Sequence, residues 1–576
     1  MKSRRNPALS VHLPVWRARF LLLLVMLGFM VLAARAFYLQ GLNHDFLQRK
    51  GETRYARTVE ISAHRGMVTD RFGEPLALST PVESVWAAPA DANLDAKQRA
   101  RLARSLNLDV EDLRKRLADT RRDFVYLKRQ LPPDQAARVV ELDLPGIFLR
   151  REYRRYYPAA EITAHVVGFT GVDDNGQEGV ELAQQEWLAG KPGSRRVIKD
   201  RLGRIVEDMQ GIQAPQQGRE LALAIDQRIQ YLAFRELKRA ITENAAKAGS
   251  IVVADVSTGE VLALCNWPTY NPNNRETLDT TRARNRAIVD LFEPGSTLKP
   301  FTVAAALEAG LVKPGSLIDT EGGHMLVGNN MIRDVHPEGM LTVSQVIQKS
   351  SNVGSAKMAM QLPPERLWNV LSESGFGKST QVGFPGEAGG HLRPFQSWKP
   401  IEQATMSYGH GISVSLLQLV RAYSVFATDG ELISLTLLRR QEPVAGRRVI
   451  APKTAQAVRK MLESVTQAEG TAPLAQVAGY RIAGKTGTAH KLVDGAYAPD
   501  RYISSFVGFA PVSRPRLLIA VMLDEPGREH HTGGQVAAPV FSSVMAGALR
   551  LMSIEPDAPL ENGPTPSRKP KIGEEV

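Results

Sequence analysis

Residues 292–302 read FEPGSTLKPFT, and this stretch places a serine between a Pro-Gly turn and an apolar run typical of a helix. Ser296 is followed three positions later by Lys299, and no other Ser-x-x-Lys spacing occurs in the chain. Because residues i and i+3 share a helix face, the Lys299 ammonium can approach the Ser296 hydroxyl. A desolvated lysine has a lowered pKa and can act as a base toward a serine nucleophile. A helix-capping serine beside a solvated lysine is the alternative, because about one such spacing is expected by chance.

Two further short motifs follow this pair along the chain. The sequence SSN occupies residues 350–352 ahead of a second helical pattern, and KTGT occupies residues 485–488 in a run typical of an edge strand. One serine–lysine spacing carries little information, but the three motifs in this order and context are rarely combined by chance. We therefore interpret Ser296 as a nucleophile rather than as a helix cap.

Each motif supplies a group that acyl transfer requires. Ser350 can relay a proton between Lys299 and a leaving or attacking amine, and Asn352 can offer its amide to a peptide substrate. Lys485 and Thr486 provide a cation and a hydroxyl for a substrate carboxylate. The sequence therefore predicts an acylation site with its own proton relay.

The other positions of these motifs concern the backbone. Gly487 has no Cβ, so the strand can approach another backbone closely. The amides of Ser296 and Thr488 are the predicted oxyanion hole. The predicted catalytic residues are Ser296, Lys299, Ser350 and Lys485, and the predicted substrate-binding residues are Asn352, Thr486, Gly487 and Thr488.

An apolar segment near the N-terminus follows a basic tail. Residues 20–34 are uninterrupted apolar residues, and Arg35 separates them from a further short apolar run. The small residues on both sides of Arg35 fit a signal-peptide cleavage site, whereas a snorkelling Arg35 within about 20 residues fits an uncleaved anchor. We favour a transmembrane anchor at 20–40 with a basic cytoplasmic tail at 1–19. The positive-inside bias then sends the rest of the chain across the membrane.

The composition excludes several classes of protein. Of 576 residues, 43% are hydrophobic and 23% are charged, which is ordinary for a globular chain with room for two or more domains. The net charge is +12, but five of these charges lie in the first 19 residues, and no pattern typical of nucleic-acid binding is present. A basic surface facing an anionic polymer or a membrane is the better interpretation. The single cysteine, Cys265, excludes an intrachain disulfide and a multi-cysteine metal site.

The order of helical and strand-like patterns predicts the fold. A long amphipathic helix follows a short strand at 221–246, and a β-hairpin follows at 249–267. Helical patterns dominate from 296 to about 430, after which strands return and a helix closes the domain. We predict an α+β fold in which one antiparallel sheet is packed by helices from both ends of the domain.

The chain divides into five predicted segments. The basic tail and the anchor come first, and an arginine-rich, non-catalytic region follows at 41–215. The catalytic domain is predicted at 216–555, and the Pro-rich polar stretch at 556–576 is predicted to be disordered.

The motifs and several longer stretches resemble the class B penicillin-binding proteins, which are peptidoglycan D,D-transpeptidases. The stretches NRAIVDLFEPGSTLKPF and SYGHGISVSLLQLVRAYSVFA are similar to that family's transpeptidase domain, and RGMVTDRFGEPLA is similar to its N-terminal pedestal domain. The resemblance covers residues 20–550, in approximate terms. It is strongest to the division-specific branch, and the elongation-specific branch is the nearest rival.

The resemblance implies a serine transpeptidase fold preceded by an elongated pedestal, and an activity. Ser296 would attack the D-alanyl-D-alanine bond of a peptidoglycan stem peptide, and an amine of a neighbouring stem peptide would resolve the acyl-enzyme. β-Lactams would trap Ser296, and no metal or organic cofactor would be needed. A carboxypeptidase or β-lactam hydrolase on the same site is the alternative, although Ser351 stands where class A β-lactamases have aspartate.

The resemblance also implies a location and partners. The chain would be anchored by a single pass in the bacterial inner membrane, with its catalytic domain in the periplasm. An FtsW-type glycosyltransferase would supply the glycan strands, and other division proteins would be further partners. Nucleic acid is not expected as a partner.

The motifs do not account for three other features, which are His410, the pair His530 and His531, and the segment 150–157. Catalysis by His410 is not expected, and we place the adjacent His530 and His531 on a substrate-side loop rather than in a metal site. Arginines and tyrosines alternate in the segment 150–157. This segment either contacts acidic glycan or partner proteins, or packs within the pedestal.

Overall fold

The computed structural model describes residues 14–42, 56–199, 205–276, 278–493, 495–527 and 529–559. Residues 1–13 of the predicted tail at 1–19, and all but four residues of the predicted tail at 556–576, lie outside the described residues. Contacts divide the chain into two compact units. The first comprises 1–63, 82–152 and 191–216, and the second comprises 64–81, 153–190 and 217–576.

The first unit begins with a long apolar helix, Val15–Phe37, which continues into a π-helical turn, Tyr38–Leu42. Its most apolar window has a mean hydropathy of 2.4 and is fully exposed. Within the described part of the chain, it is the one helix long and apolar enough to cross a membrane. It overlaps the predicted anchor at 20–40.

The remainder of the first unit is a small α/β body. Three strands, Ala56–Ile61, Gly193–Lys199 and Ile205–Gln213, pair in an antiparallel sheet. The strand Val125–Leu131 is accompanied by the helices Ala96–Leu106, Val110–Leu117 and Pro133–Val140. Buried leucines and a valine from this strand and these helices contribute to one apolar core. The first of the three helices begins at a capping box, in which the Asp95 side chain accepts from the backbone of Gln98.

The second unit begins with short elements. They include the strands Val68–Thr69, Phe169–Thr170, Gly176–Glu178 and Leu221–Ala222, the helices Ala164–Val167, Gly179–Ala183 and Gln185–Leu188, and the 3-10 turn Ala160–Ile162. Two longer strands, Pro75–Ala87 and Ile147–Tyr156, contain residues of both units.

A buried ion network joins these short elements. Glu181 is fully buried between two buried arginines, with carboxylate oxygens 2.6 Å from a nitrogen of Arg65 and 2.6 Å from a nitrogen of Arg155. Further bonds from Arg155 reach Ser79 Oγ at 3.0 Å and the carbonyl oxygen of Gly66 at 2.8 Å. Full pairing is what makes a buried charge tolerable. Arg155 of the 150–157 segment is therefore a packing residue of the second unit.

The second unit is built around one five-stranded antiparallel sheet. Its strands are β1 (Ala248–Asp255), β2 (Val261–Trp267), β3 (Ala483–Val493), β4 (Ala496–Ala510) and β5 (Leu517–Asp524). Their order is β2-β1-β5-β4-β3, and every neighbouring pair is antiparallel. The strand that carries the KTGT motif, β3, is therefore an edge strand, as the sequence predicts.

Helices flank this sheet. The helices used below are α1 (Gln227–Glu243), α2 (Lys299–Glu308), α3 (Val343–Lys349), α4 (Asn352–Met360), α5 (Leu416–Ala427) and α6 (Ala538–Leu551). Helices α1 and α6 pack on one another, α1 against β2 and α6 against β5, while α5 contacts β1, β4 and β5. The prediction of an α+β fold with an antiparallel sheet flanked by helices is confirmed.

The second unit contains further helices, 3-10 turns and two-stranded ribbons. The helices are Thr280–Ala283, Arg286–Val289, Pro364–Glu373, Pro400–Met406, Pro452–Ser464 and Gly533–Val536. The 3-10 turns are Gly295–Leu298, Glu321–Gly323, Phe395–Ser397 and Pro473–Ala475. Three two-stranded ribbons pair Leu317–Asp319 with Met340–Thr342, His324–Val327 with Asn330–Arg333, and Glu431–Leu432 with Arg447–Arg448.

Candidate active site

Ser296 lies in the 3-10 turn that leads into α2, of which Lys299 is the first residue. The turn is held by a close contact between two backbones. Gly295 has a φ of +55°, and its amide donates to the carbonyl oxygen of Gly409 at 3.2 Å. A Cβ at Gly409 would lie 2.1 Å from the carbonyl oxygen of Gly295, so only glycine fits there. The packing of Gly409 on Gly295 therefore fixes the position of the turn that carries Ser296.

The structure brings the serine and lysine of the first motif together. The Nζ of Lys299 lies 3.0 Å from Ser296 Oγ. The same amine lies 3.1 Å from Ser350 Oγ and 2.5 Å from the Ser350 carbonyl oxygen. Lys299 is fully buried, whereas Ser296 is half-buried. A buried amine thus connects a reachable hydroxyl to a second serine.

Ser350 occupies an unusual backbone position at the C-terminal cap of α3. Its φ of 62° and ψ of 40° are in the left-handed region, which a serine adopts at a cost. In this conformation its carbonyl oxygen and its hydroxyl both face Lys299. The strained backbone therefore places two acceptors on one amine.

A second buried lysine reaches the same hydroxyl from β3. The Nζ of Lys485 donates to Ser350 Oγ at 3.0 Å, and Lys485 is fully buried. Burial lowers the pKa of Lys485 to about 7. Burial and the nearby Lys485 charge also hold the pKa of Lys299 well below its usual range, and Asp334 offsets part of this. Two amines that share one buried hydroxyl are not both charged at neutral pH, and we assign the neutral form to Lys299.

The other residues of the KTGT motif lie beside this relay. A Cβ at Gly487 would lie 2.4 Å from Ser505 Oγ and 2.9 Å from the carbonyl oxygen of Pro294, so the glycine lets β3 approach the nucleophile turn. The hydroxyl of Thr488 accepts from the backbone amide of Gly533 at 3.0 Å. The sequence-predicted residues of the first and third motifs are therefore neighbours.

Asn352 lies at the start of α4, next to the relay but outside its bonds. Its side-chain amide donates to the carbonyl oxygen of Arg333 at 2.9 Å. Asp334 organises the whole SSN segment, accepting from Ser351 Oγ at 2.6 Å and from the backbone amide of Val353 at 2.9 Å. Sequence analysis missed Asp334, because nothing in a short polar loop indicates which helix it caps.

A second missed residue supports Thr486. The hydroxyls of Thr471 and Thr486 lie 3.0 Å apart, and Lys485 Nζ lies 3.3 Å from Thr486 Oγ1. A Cβ at Gly534 would lie 2.2 Å from the carbonyl oxygen of Thr471, so this loop is packed tightly against its neighbour. The hydroxyl of Thr486 thus has a fixed orientation.

Two of the histidines considered in the sequence, His410 and His531, contact aromatic rings. His410 Nδ1 lies 3.2 Å from the Glu293 carboxylate, and its ring contacts Tyr408 and Tyr497 edge-on. The ring of His531 stacks on Tyr502 with centroids 4.2 Å apart. Within the described residues, no group of three or more potential metal ligands occurs.

Family models match most of the chain. A model described as "Penicillin binding protein transpeptidase domain" matches residues 249–546. A second, described as "Penicillin-binding Protein dimerisation domain", matches residues 60–223. All the motif residues described above lie in the first of these ranges.

Curated relatives match over almost the full length. The chain is 43% identical over 550 residues to the peptidoglycan D,D-transpeptidase FtsI of Escherichia coli K12. The aligned residues make up 94% of this chain and 93% of the relative. It is 41% identical over 548 residues to the probable peptidoglycan D,D-transpeptidase PenA of Neisseria gonorrhoeae, with 94% of each chain covered.

Solved structures agree with this relation. The transpeptidase domain of Burkholderia pseudomallei penicillin-binding protein 3 is 48% identical, with a TM-score of 0.54, and covers 58% of this chain and 98% of its own. Penicillin-binding protein 3 of Mycobacterium tuberculosis in complex with aztreonam is 27% identical, with a TM-score of 0.68, over 87% of this chain and 99% of its own. The chain therefore belongs to the class B penicillin-binding proteins and is like FtsI.

Proposed function

We propose that this chain is a peptidoglycan D,D-transpeptidase that cross-links stem peptides through an acyl-enzyme on Ser296 during septal wall synthesis. The observation that carries the proposal is the continuous set of contacts from Ser296 through Lys299 and Ser350 to Lys485. Relatives named as D,D-transpeptidases over 94% of the chain support it. Peptidoglycan is the substrate, and β-lactams are inhibitors that enter the same site.

In the acylation step, neutral Lys299 is the base. Its amine lies within hydrogen-bond distance of the carbonyl and hydroxyl oxygens of Ser350, which can accept its two hydrogens and leave its lone pair for the Ser296 hydroxyl proton. Ser296 Oγ then bonds to the carbonyl carbon of the penultimate D-alanine. The amides of Ser296 and Thr488 stabilise the oxyanion that forms. The proton lost by Ser296 is thereby held within the site.

Release of D-alanine requires that its nitrogen receive this proton. Ser350 Oγ lies between Lys299 and Lys485, so it relays the proton from the lysine to the leaving amine. Lys485 and Thr486 hold the carboxylate of the terminal D-alanine by charge and by a hydroxyl. Asn352 donates its amide to the donor peptide.

The second half-reaction runs the same relay in reverse. An amine of a neighbouring stem peptide replaces D-alanine, loses a proton through Ser350 to Lys299, and attacks the ester carbonyl. Ser296 leaves with its proton restored. The product is a peptide cross-link, and the slow entry of water keeps the ester available for the amine.

The same proposal includes a location, domain boundaries and partners. The helix Val15–Phe37 anchors the chain in the inner membrane, and its basic flank at 1–19 stays in the cytoplasm. The catalytic domain, 216–555, and the pedestal at 41–215 then both lie in the periplasm. An FtsW-type glycosyltransferase supplies the strands, and other division proteins bind the same assembly.

Labelled penicillin tests the chemistry. The detergent-solubilised full chain is incubated with the label, and the adduct is followed by intact mass. We expect one adduct per chain that persists for many minutes, that is absent in Ser296→Ala, and that is retained in the control Ser344→Ala, because the Ser344 hydroxyl bonds to the carbonyl oxygen of Pro314 and not to the relay. Rapid loss of the adduct with turnover would favour a hydrolase, and absence of any adduct would overturn the proposal.

Depletion in cells tests the septal role. If the chain acts in division, cells lacking it grow as filaments and are restored by the wild-type gene but not by Ser296→Ala. Rounded cells would assign the chain to elongation instead.

A further inference from the structure

A carboxylate next to the nucleophile turn contacts two other walls of the site. Glu293 lies three residues before Ser296, separated from it by Pro294 and Gly295 alone. Its side chain is 14% exposed, and within the motifs singled out from the sequence it was assigned no role. Because only two residues separate them, a displacement of Glu293 also displaces Ser296.

The Glu293 carboxylate is fully engaged, and its contacts come from two other segments, β4 and the 408–411 turn. Both of its oxygens lie 3.0 Å from the hydroxyl of Tyr497, which belongs to β4. It also accepts from the backbone amide of Gly411 at 2.8 Å and lies 3.2 Å from His410 Nδ1. Although burial raises its pKa, the hydrogen bonds from His410, Gly411 and Tyr497 hold the pKa of Glu293 below its usual range. The carboxylate is therefore ionised and hydrogen-bonded.

The contact with Tyr497 matters because of where this tyrosine lies. It pairs with Leu492 near the end of the β3–β4 hairpin, beyond the part of β3 that carries KTGT. Leu492 is 54% exposed and Tyr497 is 50% exposed, so the core does not hold this end of the hairpin. An exposed hairpin end is a segment of low local stability. The charge-assisted hydrogen bond from Tyr497 to Glu293 is therefore one of its ties, beside the ion pairs of Lys491 with Asp524 and Glu525.

The contact with Gly411 fixes the opposite wall. Gly411 follows the turn in which Gly409 packs on the backbone of Gly295. A bridge between Phe292 and Val414 lies just beyond it, with amide-to-carbonyl distances of 3.0 and 2.9 Å. Glu293 thus joins the nucleophile turn to the 408–411 turn on one side and to the KTGT hairpin on the other.

From this arrangement we infer that Glu293 and Tyr497 are positioning residues, which hold the β3–β4 hairpin at the separation from Ser296 that acylation of the donor peptide requires. The inference rests on the proposed function. Substrate carboxylate and carbonyl are bound by β3, and the attacking oxygen belongs to the turn, so their separation decides how often a bound donor meets Ser296 in a reactive geometry. A small displacement of either one slows the chemical step more than it weakens binding.

The test compares two hydroxyl deletions in the same strand. Tyr497→Phe removes the bond to Glu293 and keeps the ring, whereas Tyr502→Phe removes a hydroxyl that is 3.2 Å from the carbonyl oxygen of Pro499 and has no contact with Glu293. For the full chain and labelled penicillin, we expect Tyr497→Phe to lower the first-order acylation constant about tenfold, the loss typical of a hydrogen bond to a charged group. The dissociation constant of the non-covalent complex and the melting temperature stay unchanged. Tyr502→Phe matches the wild type.

A double-mutant cycle tests the pairing itself. Glu293→Gln keeps the shape of the side chain but lacks the charge, so it also slows acylation, and its combination with Tyr497→Phe is no slower than the slower single variant. Fully additive losses, or equal effects of the two tyrosine variants, would overturn the inference.

Hydrogen exchange in the free protein separates this inference from the proposed function. We expect amides of residues 490–493 and 496–502 to exchange faster in Tyr497→Phe than in wild type or Tyr502→Phe, whether or not penicillin reacts. Unchanged exchange would refute the tie, even if acylation proceeds. Faster exchange together with a wild type that forms no adduct would refute the proposed function, and with it the positioning role.

Discussion

Replacing Lys485 with methionine is expected to change the stability of the protein and its acylation activity in opposite directions. Lys485 is fully buried, and its amine contacts Ser350 Oγ and Thr486 Oγ1 rather than a carboxylate. A buried ammonium without a counter-ion opposes folding. Methionine has a similar length and no charge, so it can occupy the same space. We expect Lys485→Met to abolish acylation and to stabilise the protein.

The size of the effect follows from the pKa. Burial lowers the pKa of Lys485 from 10.5 to about 7. Each tenfold change in proton affinity corresponds to about 1.4 kcal/mol, so the depression costs about 5 kcal/mol of the free energy of unfolding at pH below 7. Two hydrogen bonds worth about 1 kcal/mol each are lost. No acceptor is orphaned, because Ser350 Oγ keeps Lys299 and Thr486 Oγ1 keeps Thr471. The expected net gain is about 3 kcal/mol.

The gain depends on pH in a defined direction. Between about pH 7 and 10.5 the unfolded chain binds the Lys485 proton and the folded chain does not, so wild-type stability rises with pH over this range. Lys485→Met lacks this term. Its advantage is therefore complete below about pH 7, falls by about 1.4 kcal/mol per pH unit above it, and is gone by about pH 9.

Thermal unfolding of the detergent-solubilised chain measures this. At neutral pH we expect the melting temperature of Lys485→Met to exceed that of wild type by about 4 °C for a domain of this size. The control is Lys491→Met on the same strand, which removes an amine paired with Asp524 and Glu525 and gives no increase. A lower melting temperature for Lys485→Met, or a difference that does not change with pH, would refute the reasoning.

Three further predictions address other parts of the second unit. Gly487→Ala places a methyl group 2.4 Å from Ser505 Oγ and 2.9 Å from a backbone oxygen of the nucleophile turn. We expect the penicillin acylation rate to fall about a hundredfold while the chain still folds. A fall of less than threefold would contradict this. The acylation rate of the wild type rises with pH, because Lys299 must lose its proton, and it levels off well below the usual lysine pKa of about 10.5; a rate still climbing at about pH 10 would exclude Lys299 as the base. Glu181→Gln removes the carboxylate that pairs with the buried Arg65 and Arg155. We expect urea unfolding to show a free energy of unfolding lower by about 3–5 kcal/mol. A decrease below about 1 kcal/mol would mean that the arginines are paired elsewhere.

The local part of the site could be predicted from the sequence. The contact between Ser296 and Lys299 follows from helical spacing, since i and i+3 share a face in any helix. The position of KTGT on an edge strand followed from a strand pattern near the end of the domain. The sheet flanked by helices could be predicted because hydrophobic periodicity is a local signal.

The supporting residues could not be predicted, because they act across long stretches of chain. Asp334 bonds to residues 17 to 19 positions away, Thr471 to one 15 positions away, and Glu293 to a tyrosine 204 positions away. A carboxylate or a hydroxyl in a loop has the same sequence signature whether it faces solvent or a buried partner. The left-handed backbone of Ser350 was equally unpredictable, since serine is not a residue that indicates it.

The glycines around the nucleophile limit how this enzyme can evolve under inhibitors. A methyl group at Gly409, Gly487 or Gly533 would lie within 2.4 Å of another atom, a backbone oxygen in two of the three cases. Substitutions at these positions would move the serine itself and would damage reaction with the natural donor and with an antibiotic alike. Variants that discriminate between the two must therefore arise among side chains such as Tyr502 and His531, whose stacked rings can change without moving the main chain. Substitutions that confer drug tolerance are therefore expected at positions away from the reacting atoms.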